Sequence, residues 1–213
     1  MELSRSVCIL IPVSRYITNT IITSFGFSIS AAQEMGFGVS FFVSDLGGFD
    51  NAREKLLSDA LALNPAPMYL LWLDTDICLT EEQVKKLIEF MENRPEADAA
   101  SGLYFNQTLY RPVCMRRVEG KLCTFCPGEG EPVEIDAAGM GCMIIRTRSV
   151  IEKLLPSKGE NRLFLYDLEK QVGEDTHFCN LMKKAGMKLY VVPDVCPMHY
   201  GGYVGRKHFE KLF

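Results

Sequence analysis

Three apolar runs early in the chain, each followed by a segment with helical spacing, constrain the fold more than any other feature. The runs are SVCILIPV (Ser6 to Val13), GVSFFVS (Gly38 to Ser44) and MYLLWLD (Met68 to Asp74). A strand with one wet face alternates polar and apolar residues, whereas one covered on both faces reads as a continuous apolar run. MYLLWLD reads the second way. Its surroundings must therefore bury it twice.

The segments between the runs supply the cover. Thr18 to Met35 has helix-like apolar spacing and stops at Gly36. DNAREKLLSDALAL opens on Asp50, a good N-cap, and places Ala52, Leu56, Leu57, Ala60 and Leu63 on one helical face. TEEQVKKLIEFMEN starts on Thr80 with Gln83 three residues later, the pattern of a capping box, and Glu81 and Glu82 suit the first-turn dipole. Strand and helix in alternation give a parallel sheet covered on both faces. The expected fold class is α/β, a three-layer α/β/α Rossmann-like arrangement with a mixed, mainly parallel sheet. Ligands collect at the carboxyl ends of the strands in such sheets.

The second half changes style. AASGLYF reads as a fourth strand, and RPVCMRRVEGKLCTF as a small antiparallel hairpin turning at Glu119-Gly120. EIDAAGMGCMIIRT reads as a strand interrupted by Gly139 and Gly141, which suggest close approach of the backbone to another group. A helix is expected around Ser149 to Leu155. After a polar loop comes another from Glu174 to Ala185, with Phe178, Leu181, Met182 and Ala185 buried and Gly186 at its end. KLYVVP is a further strand, and HYGGYVGRKHF a glycine-rich tail. No repeat or linker divides residues 1–213, so one domain is expected, with halves at about 1–100 and 101–213.

Composition excludes some functions. Net charge is −4, with no long run of Lys or Arg, which argues against nucleic acid as the main partner. No stretch approaches the roughly 20 apolar residues of a membrane span. The N-terminus has no cleavage signature, so a cytoplasmic location with reduced cysteines is expected. Cys123 and Cys126 form one CxxC pair with no second pair to complete a zinc site, so hairpin packing is the favoured reading.

The residues that carry chemistry start with Asp74-Thr75-Asp76, where the third strand surfaces. Solvated loops hold many such pairs. At the carboxyl end of an inner strand, however, two hard oxygen ligands suit Mn²⁺ or Mg²⁺. Glu174 and Asp175 open a helix, where acidic residues serve as caps, yet a carboxylate in a cleft also works as a general base. His199, before two glycines in an expected loop, is a candidate third metal ligand. Arg53 is placed in the first turn of its helix, where the dipole disfavours a cation unless an anion faces it.

Taken in order, ILIPVSR, DNAREKLL, YLLWLDTDI, DAAGMGCMIIR, GEDTHFCNLMKKAGMKLYVVPDV and MHYG resemble the GT-A glycosyltransferases, most closely the small family-2-like members. The resemblance spans nearly the whole chain. It implies that Asp74 and Asp76 hold Mn²⁺ or Mg²⁺ against the donor diphosphate, with Asp76 the direct ligand and His199 the third. It implies Asp175 as the base that deprotonates an acceptor hydroxyl, with Glu174 orienting the acceptor. Nucleotide contacts would come from Pro12, Ser14 and Arg15, from Thr75, from Arg53 near the donor, and from Arg206 and Lys207 over the diphosphate. The family's acidic uracil contact at the end of the second strand has no clear counterpart, and either Ser44 or Asp45 fills the place. In its compactness the chain is also similar to small GT-A enzymes with which large DNA viruses decorate capsid proteins. A viral enzyme of that kind would work in the host cytoplasm. The ending GRKHFEKLF shows no clear stop, which fits the first domain of a longer polypeptide.

The implied activity is metal-dependent, inverting transfer of a sugar from a UDP-sugar to a hydroxyl of a glycan or glycoprotein, with UDP-glucose the first guess. Two competing readings remain. A nucleotidyltransferase would carry a Gly-rich basic loop after the first strand, which IPVSRYITNT lacks. A non-catalytic sugar-nucleotide-binding module would not need the intact acid pair and histidine.

Overall fold

The computed structural model describes residues 2–13, 19–106, 111–169 and 171–199. The first half follows the expected rhythm: β1 (Leu3–Pro12), α1 (Asn19–Glu34), β2 (Gly38–Ser44), α2 (Phe49–Leu61), β3 (Ala66–Leu73), a short β4 (Ile77–Cys78) and α3 (Glu81–Asn93). Then come β5 (Ala99–Gly102), the β6–β7 hairpin (Met115–Val118, Lys121–Thr124), β8 (Val133–Ile135) and β9 (Cys142–Arg146). A helical stretch runs from α4 (Thr147–Ser149) through a π turn (Val150–Leu154) into α5 (Leu155–Lys158). It is followed by α6 (Glu174–Lys184), β10 (Leu189–Val192) and β11 (Met198–His199).

The main sheet has seven strands in the order β2-β1-β3-β9-β5-β10-β8. Strands β2, β1 and β3 are mutually parallel, as are β5 and β10, while β9 lies antiparallel between β3 and β5 and β8 antiparallel at the edge. The mixed, mainly parallel three-layer α/β fold and its small antiparallel hairpin are thus present. One sheet runs through both halves of the chain.

Side-chain alternation along β1 explains the layers. Cys8 and Leu10 join a core with Leu56 and Leu57 of α2 and Phe178 and Met182 of α6. Val7, Ile9 and Ile11 join the other core, with Val84, Leu87 and Ile88 of α3. The buried thiols Cys8, Cys114, Cys142 and Cys179 behave as small hydrophobes. Cys123 and Cys126 are exposed cysteines, outside any disulfide, on and beside the hairpin. Thr80 and Gln83 form the expected capping box.

Some local readings change. The N-cap of α2 is Gly48, with no side-chain cap, so Asp50 lies inside the first turn and Leu63 falls beyond the helix. Arg53 accordingly stands past the first turn and points inward among Ala52, Leu56 and Leu57. The segment read as one interrupted strand splits into β8 and β9, with Gly139 and Gly141 in the connection. Ala185 caps α6 and is only partly buried, and Cys179 takes its place in the buried stripe. Among the described residues no helix is long and apolar enough to cross a membrane.

Candidate functional site

The site forms where β3 ends. Its last residue is Leu73, and Asp74 is held by its backbone N–H, which donates to the carbonyl of Gly141 at 3.1 Å. The chain then turns into β4, which pairs with β11 so that His199 lies opposite Ile77. This two-stranded ladder, and not a loop, brings His199 to Asp76. Its Nε2 is 3.1 Å from Asp76 Oδ2, and its Nδ1 is 2.8 Å from the carbonyl oxygen of Phe105. A carbonyl can only accept, so Nδ1 carries a proton and Nε2 is the nitrogen left to face the carboxylate. Burial lowers the affinity of His199 for a second proton, but Asp76, the Phe105 carbonyl and Asp74 outweigh it and leave the pKa raised.

Asp74 has a different partner. Arg53 is 2% exposed, and its Nη2 donates to Asp74 Oδ1 and Oδ2 at 3.0 and 3.2 Å. Its Nε is 3.6 Å from Glu174 Oε1. The rings of Phe49 and Trp72 wall the guanidinium, with centroids 5.4 and 5.6 Å from Cζ. Burial works against the charge on Arg53, but Asp74, Glu174 and Asp175 more than restore it. The carboxylates feel the converse. Burial raises the Asp74 pKa, Arg53 opposes it, and Asp76 and Asp175 add to it. Glu174 is raised by burial and then by Asp175, with Arg53 again opposing. Asp175 accepts from the backbone N–H of Thr176 at 2.6 Å at the start of α6.

Tyr104 completes the floor, a residue that sequence reasoning did not single out. Its hydroxyl accepts from the backbone N–H of Gly141 at 2.9 Å, and its ring meets His199 edge-on at 5.7 Å. Burial pushes its pKa well above 10. A Cβ on Gly141 would stand 3.0 Å from Asp74 Oδ2, from Ile77 Cγ1 and from the Tyr104 hydroxyl; one on Gly139 would collide with that same hydroxyl. The close approach signalled by the two glycines is to this phenol.

The other expected residues are placed as follows. Pro12 pairs with Ser44 where β1 and β2 end, and the buried Ser44 hydroxyl accepts weakly from Leu46 N–H at 3.4 Å. Asp45 is exposed, and its carbonyl accepts from Gly47 N–H. Thr75 is buried and lines an apolar cavity of about 130 Å³ with Ile11, Val13, Ile21, Phe25 and Phe41. Ser14, Arg15, Arg206 and Lys207 lie outside the described residues. The hairpin and the loop before α6 border a groove of about 730 Å³, lined by Arg117, Asn161, Asp167, His177, Asn180 and Lys184. At 100° per residue, the α6 members of that lining lie on the face opposite Asp175.

Donor chemistry decides what the site can hold. Asp74, Asp76, Glu174 and Asp175 converge on one permanent cation, Arg53, and one histidine. Like charges in a half-buried cleft repel unless a proton or a cation intervenes. Among the described residues no three His, Cys, Asp or Glu side chains cluster as a ready metal site. The close pair is Asp76 and His199. Two protein ligands fit Mg²⁺ or Mn²⁺, which keep waters and take substrate phosphate oxygens for the rest.

No family model and no curated protein matches the sequence. Among solved structures, the fold is similar to that of A197 from STIV, with a TM-score of 0.63 at 19% identity over 92% of this chain and 85% of that one. Looser likenesses include a glycosyltransferase involved in the glycosylation of the major capsid of PBCV-1 (TM-score 0.47, 13% identity, 88% of this chain and 81% of that one). Another is S. aureus TarS 1-349 (TM-score 0.49, 12% identity, 89% of this chain and 58% of that one). The first likeness is one of fold, and it defines the class of architecture.

Proposed function

We propose that the chain is a metal-dependent, inverting glycosyltransferase of GT-A type that moves a sugar from a UDP-sugar to a hydroxyl of a glycan or glycoprotein. The observation that carries this reading is the meeting, at one strand end, of Asp76 with His199 and of Asp74 with the Glu174–Asp175 helix start. Asp76 and His199 would hold Mn²⁺ or Mg²⁺, and Asp74 stands behind them on Arg53. When bound, such an ion supplies Lewis-acid stabilisation of the negative charge that builds on a departing diphosphate.

The chain's own residues do the rest. Asp175, in the first turn of α6, takes the proton of the acceptor hydroxyl as it attacks the anomeric carbon. The C–O bond to the acceptor forms as the bond to the diphosphate breaks, and the absence of an evident nucleophile on the donor side among the described residues favours inversion. Glu174, held near Arg53, orients the acceptor. The cavity beside Thr75, with Phe25 and Phe41 edge-to-face at 4.8 Å, offers flat apolar walls to a nucleobase. UDP-glucose is the first donor to test, and a cytoplasmic setting, in a host cell if the protein is viral, goes with this reading. Screening nucleotide sugars for Mn²⁺-dependent hydrolysis and transfer tests it. Turnover of one UDP-sugar that stops on chelation supports the proposal, and inertness toward every nucleotide sugar rejects it.

A further inference from the structure

The arginine expected beside the donor makes a different set of contacts. Arg53 is 2% exposed on the inward face of α2, so a donor oxygen cannot reach it without displacing its neighbours. Both its close charged partners are protein carboxylates. One of them, Asp74, belongs to the end of β3; the other, Glu174, opens α6. Its Nε and Nη1 have no hydrogen-bond acceptor, so Glu174, at 3.6 Å from Nε, lies just beyond a full hydrogen bond. A buried guanidinium left unpaired is strongly unfavourable, which makes the two contacts mutually dependent.

From these contacts we infer that Arg53 is a positioning residue: it ties donor-side Asp74 to the acceptor-side Glu174–Asp175 pair and so fixes the end of β3 relative to the start of α6. This inference rests on the glycosyltransferase reading for its kinetic consequence, though the tie itself does not. Three acidic groups act on Arg53: Asp74 at 3.0 Å, Glu174 at 3.6 Å, and Asp175 through its electrostatic field. Without a cation between them they would separate. A planar, forked group suits the task because it can face two carboxylates at fixed angles, which an ammonium cannot. With both Asp74 oxygens on Arg53, Asp76 is left as the aspartate free to turn toward an ion.

The kinetic test uses Arg53→Lys, which keeps the charge and loses the fork. A misplacement of about 1 Å at a reacting centre can cost roughly 10²-fold, so kcat is expected to fall by that order. Affinity for UDP with Mn²⁺, measured by calorimetry, is expected to stay within about threefold, since Arg53 does not touch the donor (about 0.6 kcal/mol). Weakened UDP affinity with unchanged kcat would make Arg53 a donor contact and overturn the inference. A lowered melting point with both constants unchanged would make it purely structural and overturn it equally. A second measurement is independent of activity and of that variant's folding. In wild-type protein the Arg53 Nε–H signal should be slow to exchange with solvent by NMR, and Glu174→Gln should shift it and speed its exchange. An unaffected signal in that variant refutes the tie. A shifted signal in a protein with no transferase activity leaves the tie standing and removes only the glycosyltransferase reading.

Discussion

Asp74 and Asp76 are two residues apart in one motif, yet they occupy opposite kinds of environment. The Asp74 side chain is 18% exposed, with both oxygens on a buried guanidinium, whereas that of Asp76 is 46% exposed and meets His199 Nε2 at 3.1 Å. The first is built into the fold. The second stands at the mouth. Residues two apart in a continuing strand share one face, but the chain turns at Thr75–Asp76 on leaving β3, and that turn sets one carboxylate of the Asp-x-Asp pair against the core and offers the other to a ligand. The motif thus joins an anchor to a binding group, and the two aspartates should respond differently to substitution.

The largest effect is expected at the proposed base at the start of α6. Asp175→Asn should remain folded and bind UDP-sugar with Mn²⁺, while transfer falls by about 10²–10⁴-fold. Single-turnover kinetics beside calorimetric donor binding checks this. Asp76→Asn should lower turnover by roughly 10²–10³-fold through lost charge stabilisation and abolish the Mn²⁺ dependence of donor binding. Its denaturant midpoint should move little, because an exposed pair contributes less than about 1 kcal/mol. Asp74→Ala reverses that pattern. Removing one partner of a buried pair costs about 3 kcal/mol, which urea unfolding would register directly. If Asp74→Ala and Asp76→Asn destabilise equally, the contrast between anchor and binding group fails.

Smaller effects sharpen the same comparison. Gly141→Ala would press a methyl group against Asp74, Ile77 and Tyr104 at about 3.0 Å, at a cost of roughly 1–3 kcal/mol read as a lowered melting temperature. The smallest effect is a pH dependence at the mouth. In metal-free protein the folded-state pKa of His199 is raised above 6.5, mainly because its pairing with Asp76 outweighs burial. Its contribution to stability is therefore fully present below the unfolded value and is lost as pH rises through the folded value. Thermal melts across that range, with and without His199→Gln, should show a greater loss of stability with rising pH in the wild type than in the variant.

Much of this was legible in the residues. Continuous apolar runs gave the inner strands β1 and β3 and the edge strand β2, the Thr80–Gln83 spacing gave a capping box that forms as written, and the Gly139 and Gly141 pair signalled a close approach. What was not legible depended on distant contacts. Asp50 has the chemistry of an N-cap, but Gly48 begins the helix two residues earlier. That shift moves Arg53 beyond the first turn, where the helix dipole no longer explains its partners and the buried carboxylates do. The β4–β11 pairing is two residues long on each side, too short to carry a periodic signal, yet it brings His199 to Asp76. Tyr104 carries no motif of its own, and the two glycines revealed that something approached without naming it.

The most direct test is a calorimetric titration of UDP-glucose into wild-type protein and Asp76→Asn, each with and without Mn²⁺. Tight binding in wild-type protein with Mn²⁺, and weak binding in the other three cases, is the outcome that a cation on Asp76 and His199 requires. Equal binding in all four would contradict it.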